Sequence, residues 1–340
     1  MTGQEKLHQI LNRSSEACGF WHGNPHPDHA KTIFDYYGVQ DDFELGLKLH
    51  DTFRWVYPEE NGVWCPPDGR PMFDTLSGAK RESLGQGGVF ADCRDPAEVE
   101  NFEWPDPDCL NFEKTMQELK RTRLAGQAVF SGFWGAFFHV VADFFGMENY
   151  FIKMYTDPEV VLAVTRHVVD FYLQANERLF DLAGEMIDVC FFGNDLGSQR
   201  SLLISPDAYG RFIHPFVCSL IRQAKRRGYA VAFHSCGAVD AIIPQLIEAG
   251  VDFLHPIQAQ AAGMDALNLK KKYGDSLVFI GGIDAQGILP FGSVEDVLNE
   301  VRRLKGILGT NYIVSPSHES ILPNIQPDRL HILSECAFES

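Results

Sequence analysis

The chain has 340 residues, 45% of them hydrophobic, and a formal net charge of −17. Such length and apolar content are enough for one large core, and the acidity argues against a nucleic-acid partner, which is met by a basic footprint. No apolar run approaches the ~18 residues of a membrane span, so no membrane partner is expected. The start, Met1-Thr2-Gly3-Gln4-Glu5-Lys6, is polar and lacks an apolar region of signal-peptide type, which makes a cytoplasmic location the expectation. The eight cysteines are scattered, with no CxxC pair, as expected of reduced thiols.

In chain order, a helix is expected over residues 1–16, with Leu7, Ile10 and Leu11 as its apolar face. Residues 17–25 read as a short apolar strand that runs into polar residues, Gly and Pro. Helices over 31–37 and 43–49 lead to a strand over 51–57. Seven prolines between Pro58 and Pro107 break the rhythm, and 58–110 reads as an irregular excursion with a hairpin, folded over one face of the body. A charged amphipathic helix over 112–124 precedes a strand over 128–134, then helices over 137–145 and 148–155. Asp157 as cap and Pro158 at the first helical position open a helix to about 183.

From there strands and helices alternate. Strands are expected at 188–192, 230–236, 253–258, 278–284 and 312–319, and helices at 205–227, 241–249, 267–273, 294–308 and from about 327. Eight strands, most followed by a helix, imply a parallel sheet with right-handed crossovers. The expected fold is therefore α/β, a (β/α)8 TIM barrel forming a single domain over 1–340, with 58–110 inserted in it. An open doubly wound sheet is the alternative, but no glycine-rich dinucleotide fingerprint follows the first strand.

The most chemically loaded stretch is Ala230-Val231-Ala232-Phe233-His234-Ser235-Cys236-Gly237. Side chains alternate along a strand, so His234 and Cys236 share a face, and imidazole with thiolate makes half of a zinc site. The plainer reading is a core histidine beside a buried free thiol. Ligand-type residues also end the other strands: His22 and Asn24, Trp134 with His139 beyond it, Asn194 and Asp195, His255 and Gln258, Asp284, and His318 with Glu319. Unpaired buried charge is costly, and barrel enzymes place their sites on this face. An active-site mouth is expected there. Individually, Asp195 also reads as a cap, Asp284 as support for the Gly281-Gly282 turn, His255 and His139 as core histidines, and Trp21 and Trp134 as packing aromatics.

Taken in order, Phe192-Gly193-Asn194-Asp195-Leu196-Gly197-Ser198-Gln199, Ile204-Ser205-Pro206, His234-Ser235-Cys236-Gly237, Gly282-Ile283-Asp284 and Ser315-Pro316-Ser317-His318 before Pro323-Asn324-Ile325 resemble the uroporphyrinogen decarboxylase superfamily. The resemblance implies a (β/α)8 barrel with its site at the C-terminal mouth. Decarboxylases of this superfamily carry an arginine-rich segment after the first strand to hold tetrapyrrole carboxylates. Here the place reads Phe20-Trp21-His22-Gly23-Asn24-Pro25-His26-Pro27, without arginine. The other branch comprises corrinoid-dependent methyltransferases, of which the thiol-directed members hold zinc by His-x-Cys and a later Cys. His234 and Cys236 match, and His318 stands in the third place, which implies a more electrophilic metal. Glu103, Glu118 and His139 also match a Glu-x14-Glu-x20-His spacing associated with O-demethylase methyltransferases, although Glu118 lies on a charged helix face.

The resemblance thus implies a methyltransferase that moves a methyl group from a small donor, a methoxylated aromatic foremost, to the Co(I) corrinoid of a carrier protein. Zinc at His234, Cys236 and His318 is the expected metal. Asp195, His22 and Asn194 are the expected catalytic residues, and Trp21, Asn24, Phe133, Trp134, His139, Gln258 and Asp284 the substrate-binding ones. Methyl transfer from the corrinoid to tetrahydrofolate or a thiol, and decarboxylation of a small acid, are the alternatives. A homodimer is left open as the assembly.

Overall fold

A computed structural model describes residues 1–339. Eight parallel strands form one sheet: β1 (Gly19–Phe20), β2 (Phe53–Val56), β3 (Ala128–Ser131), β4 (Val189–Gly193), β5 (Ala230–His234), β6 (Phe253–Ile257), β7 (Val278–Ile283) and β8 (Tyr312–Pro316). Their order around the sheet is β1-β8-β7-β6-β5-β4-β3-β2, so that β2 to β8 pair in sequence order and β1 pairs with β8. Helices follow the strands on the outside, and the sheet curls into the expected barrel. At the β1–β2 seam no ladder forms, but the Thr52 N–H donates to the Phe20 carbonyl at 2.8 Å and the Phe20 N–H to the Thr52 hydroxyl at 3.0 Å.

Alternation decides what fills the ring. Trp21, Phe53, Trp55, Phe130, Phe191 and Phe253 point inward with smaller Ala128, Ala232 and Val278. Phe53 and Phe130 stack at 3.7 Å between centroids. Bulky and small residues together fill the taper of a small barrel. The intervening residues, such as Val129, Phe192, Val231, Phe233 and Val314, face the helices and belong to a second core. His234 continues the inward set of β5 and His255 that of β6, so both stand at the C-terminal end of the interior.

Several expected elements differ. The first helix covers Gly3–Leu11, not 1–16, and Arg13 just beyond takes a positive φ of 55°. β1 has only two residues because the His22 N–H turns to the Asp51 carboxylate instead of a strand partner. The helix expected over 205–227 is two, Pro206–Phe212 and His214–Arg226, with Pro215 in the first turn of the second, where its missing N–H costs nothing. The excursion contains no hairpin among the described residues. Its ends are clasped instead by one antiparallel bridge, Trp64 to Leu110, with Cys65 N–H to the Cys109 carbonyl at 2.9 Å. Prolines remove the donors a longer ladder would need, and the segment is held by aromatics: Phe90, Phe102 and Trp104 pack on Phe144.

Candidate metal centre

The site begins with a close approach between β4 and β5. Gly193 pairs with His234, and a Cβ on Gly193 would lie 2.5 Å from the His234 Cβ, so only glycine lets the imidazole stand there. Beyond the strands, Gly237 takes φ 86° and turns the β5 loop tightly against Gly197 of the β4 loop. Asp195 and Cys236 are thereby brought to the same side of His234.

His234 is fully buried and its Nε2 faces three electron-rich atoms. Asp195 Oδ1 lies at 3.1 Å, Cys236 Sγ at 3.5 Å and Glu319 Oε2 at 3.8 Å. Asp195 Oδ1 also accepts the Cys236 N–H at 3.0 Å. Ligand-type atoms converge in two overlapping groups that share Cys236: Asp195, His234 and Cys236, and Cys236, His318 and Glu319. Within each, all lie inside 4.8 Å of one another. His318 accepts the Ser320 N–H on Nδ1 at 3.0 Å.

Electrostatics follow from this crowding. Burial works against a charge on His234, but the hydrogen bond to Asp195, then Cys236 and Glu319, carry its pKa well above the ordinary value. Burial would likewise raise Asp195, yet His234 and the Cys236 N–H hold it well below the usual carboxylate range. Burial pushes the Cys236 thiol up, with His234 pulling the other way. One N–H on His234 can satisfy only one of three acceptors. Glu319 Oε2 is shielded from water and finds no hydrogen-bond partner among the described residues. A divalent cation beside Cys236 would satisfy acceptors that the one N–H does not reach. Zinc takes N, S and O ligands at ~2.0–2.3 Å, so neighbouring ligands stand about 3.3–3.8 Å apart in a tetrahedron. The 3.5 Å separation of His234 Nε2 and Cys236 Sγ fits, and an ion would be held by Cys236 with His234 and Asp195 on one side or with His318 and Glu319 on the other.

The remaining expected site residues scatter. Trp134 is in the mouth, 4.9 Å from His234 and 5.0 Å from Trp55 between ring centroids. Trp21 lies inside the barrel, 5.3 Å from the His255 ring. Phe133 faces the other way, onto Tyr172 and Phe112 in the helical layer, since it alternates with Trp134. Asn194 is fully buried and ties down the loop after β3, accepting from Phe138 N–H at 2.8 Å. Asn24 belongs to a two-residue ladder with Ser320, and its N–H donates to the Glu319 carbonyl at 2.6 Å. That ladder ties the residue after β1 to the ligand-bearing turn after β8. Gln258 accepts the Gly237 N–H at 2.8 Å and, with Asp284, Ser317 and His318, lines a cavity of about 420 Å3 beside the cluster. His139 interacts with the Asp195 charge, and its Nε2 is buried without a partner among the described residues.

His22 is placed apart from this group. Its Nδ1 meets Asp51 at 2.6 Å and its Nε2 meets Asp42 at 3.0 Å, so neither nitrogen is open to a substrate. The Glu103, Glu118 and His139 set is likewise not among the converging groups. Glu103 pairs with Arg70 at 2.5 Å, and Glu118 with Arg54 at 2.5 Å. Two residues outside the expected site belong beside it. Glu319 was legible as one more carboxylate at a strand end. Glu59 was not, because it sits in the proline-rich excursion. Its Oε1 accepts the Trp134 N–H at 2.9 Å, and burial pushes its pKa up to about 7.

Comparison with known proteins agrees with this architecture. A methyltransferase from Methanosarcina mazei matches with a TM-score of 0.66 over 99% of this chain and 98% of that one, at 14% sequence identity, a likeness of fold. No curated protein matches the sequence significantly. No helix among the described residues is long and apolar enough to cross a membrane. The family model described as uroporphyrinogen decarboxylase (URO-D) matches residues 82–339, which takes in six of the eight barrel strands, β3 to β8, and every converging ligand from Asp195 to Glu319; the chain belongs to that family.

Proposed function

We propose that the protein is the substrate-side methyltransferase of a corrinoid-dependent, multi-component system in the cytoplasm. It takes a methyl group from a small donor, a methoxylated aromatic foremost, and delivers it to the Co(I) corrinoid of a separate carrier protein. The observation that carries this reading is the surplus of ligand atoms around His234 Nε2, which suits a zinc ion at the barrel mouth. When bound, zinc would act as a Lewis acid toward the oxygen of the donor.

The chain's own residues account for the rest. Methyl transfer from an aryl ether breaks the CH3–O bond, and the oxygen keeps the electron pair. Asp195 is held ionised and so accepts rather than supplies a proton. His139, with its unpartnered Nε2, is the imidazole able to bring one to the departing oxygen. Trp134 and Trp55 wall the approach to His234, and Tyr57 stacks on Trp55 at 4.2 Å. Such walls favour a flat apolar ring. Glu319 and Asp195 make the surroundings acidic, so donors without a carboxylate should be preferred. The same charge disfavours a tetrapyrrole polyacid. The segment after β1 has no arginine, and Arg54 on β2 is taken by Glu118. Decarboxylation is therefore the weaker alternative.

The test is to incubate the protein with reduced corrinoid carrier and a panel of methoxylated aromatics and to follow the absorbance of the methylated corrinoid. Growth of that absorbance with a neutral methoxyarene is expected. Silence with every donor, together with methyl transfer from methylcobalamin to tetrahydrofolate or a thiol, would reverse the direction proposed here.

A further inference from the structure

β5 and β6 pair so that His234 lies directly opposite His255, and the Ser235 N–H donates to the His255 carbonyl at 2.9 Å. Both imidazoles are fully buried. Their Nδ1 atoms meet at 2.9 Å. A contact between two ring nitrogens needs one proton and one lone pair, so one histidine donates and the other accepts.

We propose that His255 is a positioning residue whose Nδ1 accepts the Nδ1–H of His234, which leaves the Nε2 of His234 as the nitrogen offered to a cation. The opposite arrangement puts the proton of His234 on Nε2 and closes that atom to a metal. It would also leave Cys236 Sγ and Glu319 Oε2 facing a single N–H already directed at Asp195. With His255 as the acceptor, the Nε2 lone pair faces Asp195 and Cys236, which form with it one group of ligand atoms within 4.8 Å of one another, the arrangement a divalent ion requires. The assignment carries a cost, which the structure displays. His255 then holds its own proton on Nε2, and this atom is buried with no hydrogen-bond partner among the described residues. The rings around it, Trp21 and Phe191, stand T-shaped to the imidazole at 5.3 and 5.5 Å and offer an N–H only a π face. An apolar side chain in this place would avoid that cost, so the imidazole is retained for its other edge.

The inference rests on the metal reading, and its test separates the two. Selective 15N-histidine labelling reports which nitrogen of His234 carries a proton, with or without metal. His234 in the metal-free wild type should show a protonated Nδ1, and in the zinc form a protonated Nδ1 with a metal-bound Nε2. His255→Phe, which keeps the bulk and removes the acceptor, should weaken zinc binding by about 10–100-fold, the usual effect of removing a partner of a metal-bound histidine. His255→Asn restores an oxygen near the Nδ1 position and should recover most of that loss, and it also serves if the Phe variant fails to fold. A His234 with an unprotonated Nδ1 in the wild type, or undiminished zinc affinity in a folded His255→Phe protein, would overturn the proposal. A wild type that takes up no zinc yet shows the Nδ1 proton, lost in His255→Phe, overturns the metal reading and upholds the orientation by His255.

Discussion

Two buried histidines, each facing carboxylates, behave oppositely in this molecule. At the β1–β2 seam His22 has two nitrogens and two carboxylates, one for each: Asp51 at 2.6 Å and Asp42 at 3.0 Å. The neighbours are also matched, Arg54 with Glu118 and Arg121 with Asp41. At the rim His234 has one nitrogen facing two carboxylates and a thiol, and its other nitrogen is engaged by His255. At His22 both ring nitrogens are matched. The rim has acceptors left over. A histidine with matched partners holds a fold together, and one with surplus acceptors marks a place where a cation completes the arrangement.

The largest effect expected from breaking this contrast is at Cys236, the thiol shared by both ligand groups. Elemental analysis should find about one zinc per chain in the wild type and less than about a tenth of that in Cys236→Ser. Equal zinc in the two proteins would remove the distinction between rim and seam. Asp51→Asn should do the reverse. Leaving the His22 charge buried with half its partners should cost about 3–5 kcal/mol in denaturant unfolding, with zinc content unchanged.

The seam should also respond to pH. Burial opposes a charge on His22, but Asp51 and Asp42 outweigh it and raise its pKa from 6.5 to about 10. Burial raises Asp51 while His22 pulls it down. Because His22 binds its proton more tightly in the folded chain, its contribution is complete below pH 6.5 and is lost as pH rises to about 10. Urea midpoints measured across that window should fall, and the fall should be shallower in Asp51→Asn.

Smaller effects sharpen the picture. Glu319→Gln keeps the shape and removes a negative charge from the rim, and it should weaken zinc binding about tenfold, or about 1.4 kcal/mol, as read by competition with a chelating dye. Glu118→Gln loosens a partly exposed pair with Arg54 and should cost at most about 1 kcal/mol of stability. Zinc content and methyl transfer should stay at wild-type levels, and a drop in either would revive the Glu103, Glu118 and His139 set.

Much of the fold and half of the site could be read from residue order. The period of two along each strand is local, so it reveals eight strands and puts His234 and Cys236 on one side of β5 before any contact is known. The same period already implies that Phe133 and Trp134 cannot both face the mouth, and they do not. Proline clustering marks the excursion as irregular but leaves its closure open. Pairing between distant loops has no such local signature. That Asp42 and Asp51 meet His22, that His255 sits across from His234, and that Glu319 turns toward Cys236 are all consequences of closing the ring, which brings together chain segments that are up to hundreds of residues apart. Sequence by itself determined which strands form and what chemistry lies at their ends. Only the tertiary structure decided which of those groups are spent on one another and which remain free, because hydrogen-bond satisfaction depends on neighbours in space rather than along the chain.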